Sequence, residues 1–411
     1  MSYKTGTAMG NADLVRASRD GDQFHYLWAA RKALLLLNPI SGLHTLTIEG
    51  PSKSEFIEEV EDGEEIVDVG EYYTSNHFSD ASKIIYTQLK HSTLHAETPF
   101  DPSKLHNTIE GFSKRYQSLI QKESKGEVLR KVEFHFVSNR AINAEFYKSI
   151  NELKETGKVT KLANLKKLEK FTTLQGKNLE EFIKLVKFPS QEPNYIAQRE
   201  ILAQDVAYYL SGNDVNAPNE LKELITRKAL SENKETPEIT QYDVLRALGT
   251  NSDDLFPVKN LIKQLEKIVD RPIVRTLIDT ITRSRSQKFI IQAEGGAGKS
   301  ILTTQIHNHI PSGSLSIVYD CFGNGDYRQS SSARHTHKIA LVQISNELAG
   351  LGLCHPLIPT TSAGSSEYIK AFLFRLKQVS ERFSNENKQL FIVIDAADNS
   401  QMAADELVIL P

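Results

Sequence analysis

The residue types that can do chemistry gather in two stretches of this sequence. In the first, Glu49 closes the segment HTLTIE, Asp68 sits within EIVDVGEY, and Gln88 and Lys90 stand one residue apart in YTQLKH. Residues two apart on a strand share a face. Acids converging from adjacent strands beside a lysine are what metal-assisted phosphodiester hydrolysis needs: the acids hold Mg2+, and the lysine polarises the attacking water and stabilises the pentacoordinate phosphate. Glu49 and Asp68 would then be metal ligands and Lys90 the lysine. Gln88 replaces an acid, its carbonyl oxygen orienting a metal-bound water. Polar residues on an exposed strand face would show the same spacing, so spacing alone leaves both meanings open. Asp22, ahead of an apolar helical run, reads as a helix cap rather than a ligand.

The second stretch is AEGGAGKS, from Ala293 to Ser300, between the apolar segment KFIIQA and the run Ile301 to Ile310. Strand, glycine-rich turn and helix in that order make a Walker A loop. Backbone N–H groups of Gly295, Gly296, Ala297 and Gly298 turn around phosphate oxygens, Lys299 reaches the β- and γ-phosphates, and the Ser300 hydroxyl ligates Mg2+. Ala293 stands where the formula has glycine, at a strand end that needs only a small residue. Downstream, LFIVID ends in Asp395 and Asp398 comes three residues later. That is the Walker B pattern, with Asp395 holding Mg2+ through water and Asp398 orienting or deprotonating the attacking water. ATP and Mg2+ are the cofactors these residues predict.

The elements that must position these groups follow from periodicity. Phe24, Leu27, Trp28, Ala30, Leu34 and Leu35 recur at helical spacing from Asp22 to about Leu37, stopped by Asn38 and Pro39. Strands are expected at His44 to Glu49, Glu65 to Tyr72 and Lys83 to His91, then a helix opening at Asp101 and Pro102, then a strand through Val132, Phe134 and Phe136. The order is αβββαβ, with helical sequence continuing to about Gly249. TNSDDLFP, Thr250 to Pro257, reads as the boundary between a domain at 1–250 and one at 251–411. Beyond it the pattern becomes that of a parallel α/β sheet: buried strands at Lys288 to Ala293, Ser314 to Cys321 and Leu390 to Asp395, with helices at Ile339 to Leu351 and Tyr368 to Phe383. The fold class is α/β throughout. Thirteen residues follow Asp398, too few for further strands or a lid. The sheet is expected to have an unfinished edge, in a fragment, a truncated gene product or one part of a split system.

Composition narrows the classes of function. With 411 residues the chain exceeds one core's usual reach, and 25% charged residues make it an ordinary soluble profile. Ala33 to Leu37 is too short to span a bilayer and no leader opens the chain, so the expectation is a cytoplasmic protein without a membrane partner. Cys321 and Cys354 lack metal-ligand spacing and read as structural thiols. A net charge of −3 advertises no nucleic-acid binder, so a DNA contact needs a local patch. Nine lysines against five glutamates between Asn151 and Ser190 are the candidate, although a solvated helix face is the commoner meaning.

GDQFHYLW from Gly21 to Trp28, with TIEG, VDVGEYY and YTQLKHS, resembles the double-stranded-DNA endonuclease effector domain, of the PD-(D/E)xK type, found beside cyclic-oligonucleotide-synthase defence genes. YDCFGNGDYR, HKIALVQISNELAGLGLCHPL and IDAADNS resemble the NTPase core of bacterial antiviral STAND proteins carrying that nuclease. The resemblance implies a restriction-endonuclease-like core with added helices in residues 1–250, then a partial P-loop NTPase sheet flanked by helices in 251–411. It implies an Mg2+-dependent endonuclease acting on double-stranded DNA in antiphage defence. ATP would lock a homo-oligomer, a tetramer among the candidates, and clustering would switch the nuclease on. A phage protein would be the trigger only where a carboxy-terminal sensor is supplied. The rival is a non-catalytic nucleotide-binding scaffold whose first domain binds DNA or protein without cutting, since Gln88 replaces an acid. An NTPase driving transport or unwinding lacks helicase-like motifs.

Overall fold

The computed structural model describes residues 11–56, 63–189, 191–263, 269, 271–328 and 333–398. They belong to two compact units: Met1–Leu37, Ser41–Val206 and Val215–Leu248 make the first, and Asn38–Ile40, Ala207–Asp214 and Gly249–Pro411 the second. Both mix helix and strand, so the fold class is α/β. Among the described residues no helix is long and apolar enough to cross a membrane.

The first unit opens with α1 (Asn11–Ala33) and a 3-10 turn at Leu34–Leu37. Phe24, Leu27, Trp28 and Ala30 are buried, as their spacing predicts. The helix starts well before Asp22, which therefore lies inside it and caps nothing. Gly21 beside Asp22 suggests a helix start, but glycine costs a helix only about 1 kcal/mol and longer tertiary packing overrides it.

Strands β1 (Leu43–Ile48), β2 (Val69–Tyr73) and β3 (Lys83–Lys90) form an antiparallel meander. After α2 (His106–Lys122) and α3 (Lys125–Lys131), β4 (Val132–Ser138) pairs parallel with β3. Then come α4 (Ala144–Thr156), α5 (Leu162–Thr172), α6 (Gly176–Leu185), β5 (Val186–Lys187), α7 (Tyr195–Tyr209), α8 (Ala217–Lys228), β6 (Glu238–Ile239) and α9 (Gln241–Ala247). The sheet order is β5-β4-β3-β2-β1-β6. The short strands at both edges fall in sequence that reads as helical. Two residues carry too little alternation to announce a strand.

Alternation assigns the faces. Tyr72, Ile84, Tyr86 and Phe134 pack in one core with Ile109, Phe112, Tyr116 and Leu119 of α2. Glu71, between Gly70 and Tyr72, turns to the other face, where Lys32 of α1 holds it at 3.2 Å. β2 begins later than expected, because Glu64–Ile66 forms a 3-10 turn. Ile66 packs so closely on Gly111 of α2 that a Cβ there would lie 2.8 Å from it. Asp68 consequently precedes β2 and is not mid-strand.

Beneath this core lies a buried charge pair. Glu55 (3% exposed) accepts from Arg115 (1% exposed) at 2.9 Å, and from the hydroxyls of Tyr72 and Tyr86. Burial first, then the Glu55 charge, keeps both tyrosines protonated far above their ordinary range. Four groups from a loop, β2, β3 and α2 thereby satisfy one another.

In the second unit α10 (Ser252–Leu255), α11 (Pro272–Arg283) and α12 (Lys299–Gln305) precede β7 (Leu315–Asp320). α13 (His337–Gly350) and α14 (Ser365–Asn385) lead to β8 (Leu390–Asp395), which pairs parallel with β7 from Leu315↔Leu390 to Asp320↔Asp395. Ile317, Tyr319, Leu341, Ile344, Tyr368, Phe372 and Val379 make the core. Lys288 to Ala293 is not the buried strand its apolar run predicts: it forms no strand, and Ile290 is 95% exposed. Apolar character supplies a side chain worth burying, but a strand exists only where a neighbour takes its N–H and C=O groups.

Removing one member of the buried pair leaves the other charge uncompensated. Arg115→Met is expected to lower the first unit's stability by about 3–5 kcal/mol in urea unfolding, and adding Glu55→Gln to recover much of that loss. A double variant as unstable as the single one would show that the pair is not what these residues contribute.

Candidate functional site

Register places the first group of residues. Ile48 pairs with Val69 and Val69 with Thr87 in the last rungs before Glu49 and Asp68, and Gln88, next to Thr87, pairs with Phe136 of β4. Past the strands Glu49 N–H donates to the Asp68 carbonyl at 2.9 Å, and Asp68 N–H donates to that of Thr87 at 3.0 Å, so Asp68 and Val69 both lie against Thr87 and the ladder turns irregular there. The three candidates thus gather at one end of the sheet, Gln88 within β3 and Glu49 and Asp68 just beyond the paired ends of β1 and β2. Lys90 shares the face of Gln88 and stands exposed at the end of β3.

Glu49 has φ 55°, a left-handed conformation uncommon for a side chain of its size, and Gly50 after it has φ 145°. The Thr47 hydroxyl donates to the Gly50 carbonyl at 2.6 Å and closes the turn. Such strain persists where surroundings over-determine it, often at sites that use the displaced side chain. Asp68 takes the Leu89 N–H on Oδ2 at 2.6 Å.

The acids are electrostatically unsatisfied. Glu49 is pushed up to about 7, by burial first and then by the charges of Asp68 and Asp22, with Lys90 opposing. Asp68 rises to about 6 through burial, against the Leu89 N–H and Lys90. Three carboxylates facing one ammonium leave a deficit of two positive charges when all are ionised. Gln88 is 5% exposed and its Oε1 has no hydrogen-bond partner. Two mutually repelling carboxylates, with a donorless buried carbonyl oxygen one residue along β3 from the N–H that binds Asp68, fit a divalent cation. Among the described residues no three His, Cys, Asp or Glu side chains form a cage by themselves. A cation would rely on Glu49, Asp68 and the Gln88 carbonyl, with water completing its shell.

Helix α1 brings further groups that sequence reasoning passed over. Asp22 lies close enough to act on Glu49, and His25 lies between the Lys90 and Asp22 charges with the Leu89 backbone beside it. Burial first, then Lys90, lowers His25 to about 4, so its ring is neutral at physiological pH. Tyr26 also faces Asp22 and Glu49. The signal was the placement of Asp22, His25 and Tyr26 on one helical face.

In the second unit Gly296 (φ 78°) and Gly298 (φ 88°) bend the loop into conformations that side chains resist. Lys299 heads α12 and its ammonium donates to the carbonyls of Ala293 at 2.7 Å and Glu294 at 3.0 Å, which centres it on the loop. The Ser300 side chain hydrogen-bonds Asp395. Burial raises the Asp395 carboxyl, Ser300 opposes this, and Asp320 raises it further. Asp398 is exposed near Cys321, whose thiol is pushed up to about 12 by burial and then by Asp320 and Asp395. The loop, Ser300 and Asp395 therefore meet. Gly295 and Ala297 lie in the same exposed turn.

Asp320 is the group the sequence did not single out. It ends β7 opposite Asp395, accepts from the N–H groups of Phe322 and Gly323 at 3.0 and 2.8 Å, and faces Arg334 at 3.7 Å. A terminal strand acid beside the Walker B acid was the available clue. These contacts fit a nucleotide phosphate and its cation at the loop.

Residues 265–410 match the family model described as Nephrocystin 3, N-terminal. No curated protein matches the chain. Among solved structures, the chain is similar to a Moraxella osloensis Cap4 receptor containing a SAVED/CARF domain, at 13% identity and TM-score 0.32, over 95% of this chain and 94% of that one. An Acinetobacter baumannii Cap4 receptor of the same description, solved with the cyclic trinucleotide 2'3'3'-cAAA, gives the same identity, coverage and TM-score. A TM-score of that size carries no argument about fold or function.

The raised carboxyls set a pH dependence. An acid whose folded pKa exceeds its ordinary value, 4.5 for Glu49 and 3.8 for Asp68, supports folding at low pH and loses that support as pH rises through the folded value. The contribution of these two carboxyls should decline between about pH 4 and 7, against the opposite contribution of His25, whose lowered value adds stability as pH rises from about 4 to 6.5, and Mg2+ should raise the melting temperature at pH 8 but not at pH 5. Circular dichroism melts of the chain and of Asp68→Asn would show this. An equal Mg2+ effect at both pH values, or one that survives Asp68→Asn, would remove the cation from this site.

Proposed function

We propose that the chain is an Mg2+-dependent endonuclease for double-stranded DNA, joined to an ATP-binding STAND-type module in antiphage defence. The observation that carries this reading is the meeting of Glu49, whose N–H bonds the Asp68 carbonyl, with Asp68, whose carboxylate takes the Leu89 N–H between the orphaned Gln88 carbonyl and Lys90. A bound divalent cation would supply Lewis acidity toward the scissile phosphate and lower the pKa of its water. Glu49 and Asp68 would hold it, Gln88 would orient a water, and Lys90 would stabilise charge developing on the phosphate. His25, being neutral, can accept or donate a hydrogen bond at this mouth without adding charge.

In the second unit the proposal is that Gly295 to Ser300 cradle the phosphates of ATP. Asp395 would hold Mg2+ through water and Asp398 would act on the attacking water. The contact between Ser300 and Asp395 supports this, because both must reach one cation. Nucleotide-driven oligomerisation would then switch the nuclease on, with a phage protein as trigger where a sensor is supplied.

The replacement of an acid by Gln88 favours a second reading, a scaffold that binds without cutting. Supercoiled plasmid incubated with the chain, Mg2+ and ATP distinguishes them. Nicking and linearisation are expected, reduced by about 10^2-fold or more in Asp68→Asn and Lys90→Ala. A wild-type chain that leaves the plasmid intact in every condition, while still binding ATP, would favour the scaffold. Lys299→Ala is expected to abolish binding of a fluorescent ATP analogue. Equal binding by both chains would place nucleotide elsewhere.

A further inference from the structure

The lysine-rich stretch beginning at Asn151 supplies solvated helix pairs of small energetic weight, Lys161 with Glu145, Lys177 with Glu181 at 3.9 Å and Lys184 with Glu180 at 2.6 Å; Ser190, at its end, lies outside the described residues. Arg271, in the second unit, is placed differently. It is exposed, and its guanidinium goes to the backbone of the phosphate turn.

The backbone of Arg271 is fixed by the helix it caps. Its carbonyl accepts the Val274 N–H at 2.9 Å, and Pro272 fills the first position of α11, where a missing N–H costs the helix nothing. From that cap Nη1 donates to the Ala297 carbonyl at 2.9 Å. A Cβ built on Gly298 would stand 3.4 Å from Nη1 and 3.8 Å from Cζ. The guanidinium therefore lies against the Ala297–Gly298 peptide, and Gly298, at φ 88°, supplies both the left-handed turn and the room.

A trans peptide points its C=O and its N–H in opposite directions. The Ala297 carbonyl and the Gly298 N–H belong to one such peptide, so a donor that holds the carbonyl on one side turns the N–H to the other. Among the described residues that N–H has no acceptor, which leaves it for a ligand. Glycine tolerates either sign of φ, so the sequence of the turn leaves this peptide free to flip. The bond from Arg271 selects one of its two orientations. Lys299 does the same for the start of the turn through the carbonyls of Ala293 and Glu294.

We propose that Arg271 is a positioning residue of the phosphate turn: by holding the Ala297 carbonyl from behind, it presents the Gly298 N–H to the phosphates that ATP and ADP share. This rests on the ATP-binding reading above. It sets the guanidinium across the peptide from the phosphates, so Arg271 strengthens both nucleotides alike and does not tell them apart.

Fluorescent analogues of ATP and ADP, titrated into the whole chain with Mg2+, test this. Arg271→Ala should weaken both by one common factor of at least about tenfold, the worth of a hydrogen bond from a charged donor. Arg271→Lys keeps a donor for the carbonyl and should recover most of the loss. Arg275→Ala removes the same charge from an exposed position one turn along α11 and should change either affinity by no more than about twofold. Circular dichroism melts check that the variants fold. Unchanged binding in Arg271→Ala, no recovery in Arg271→Lys, or an equal loss in Arg275→Ala would overturn the proposal. So would a loss for ATP about tenfold or more beyond that for ADP, which would put the guanidinium on the γ-phosphate. The underlying reading fails separately: a wild-type chain that binds neither analogue, or Lys299→Ala binding as well as wild type, takes nucleotide away from this turn and the role of Arg271 with it. Normal binding by Arg271→Ala in a chain that Lys299→Ala empties strikes the role of Arg271 alone.

Discussion

The first unit depends on a charge pair that no water reaches. Glu55 lies only a few residues beyond β1, and its carboxylate is claimed by Arg115 from α2 and by hydroxyls from β2 and β3. The loop carrying it is tied further by Ser52, whose N–H donates to Tyr72 Oη at 2.8 Å and whose hydroxyl donates to Glu238 of β6 at 3.0 Å. Desolvating two charges is expensive, and such a pair contributes little net stability compared with an apolar replacement. Its contribution is definition: only one path of the chain after Ile48 satisfies all of these donors. Glu49 and Gly50 lie on that path, and the left-handed turn at Glu49 is held open by the anchoring of Ser52 and Glu55.

The two electrostatic clusters of this unit are opposite in kind. At Glu55 the carboxylate is bonded on both oxygens, by Arg115 and by the Tyr72 and Tyr86 hydroxyls. At Glu49 and Asp68 burial and like charge raise both carboxyls, and the Gln88 carbonyl faces nothing. Buried polar groups without partners are costly enough to need an explanation, and the Gln88 carbonyl stands beside no donor. A divalent cation satisfies the two carboxylates and the amide oxygen together, which no protein donor among the described residues does.

Much of this is legible in the sequence, and the failures have physical causes. The meander, β4 and the apolar faces of α1 and α2 come from alternation and helical spacing, which are local. Gln88 and Lys90, one residue apart, need only the period of a strand. Asp68 is displaced from mid-strand because Ile66 packs on Gly111, a contact across about 45 residues that no window contains. Asp22 reads as a cap because Gly21 mimics a helix start, and its nearness to Glu49 comes from the packing of α1 on the sheet. The two-residue edge strands β5 and β6 exist only through their partners.

The second unit separates local from non-local signals more sharply. The turn from Ala293 to Ser300 takes its shape from its own sequence: glycines supply positive φ, and Lys299 bonds to carbonyls five and six residues behind it. KFIIQA, directly before it, carries an equally strong apolar signal and forms no strand, because pairing is decided elsewhere in the chain. β8 is half-buried along most of its length and is paired only with β7 among the described residues. A phosphate-binding turn can therefore be fully shaped while the strand meant to anchor it is not. Its affinity for nucleotide would then depend on how firmly the turn is held in place, a question of sheet pairing rather than of the residues that touch phosphate.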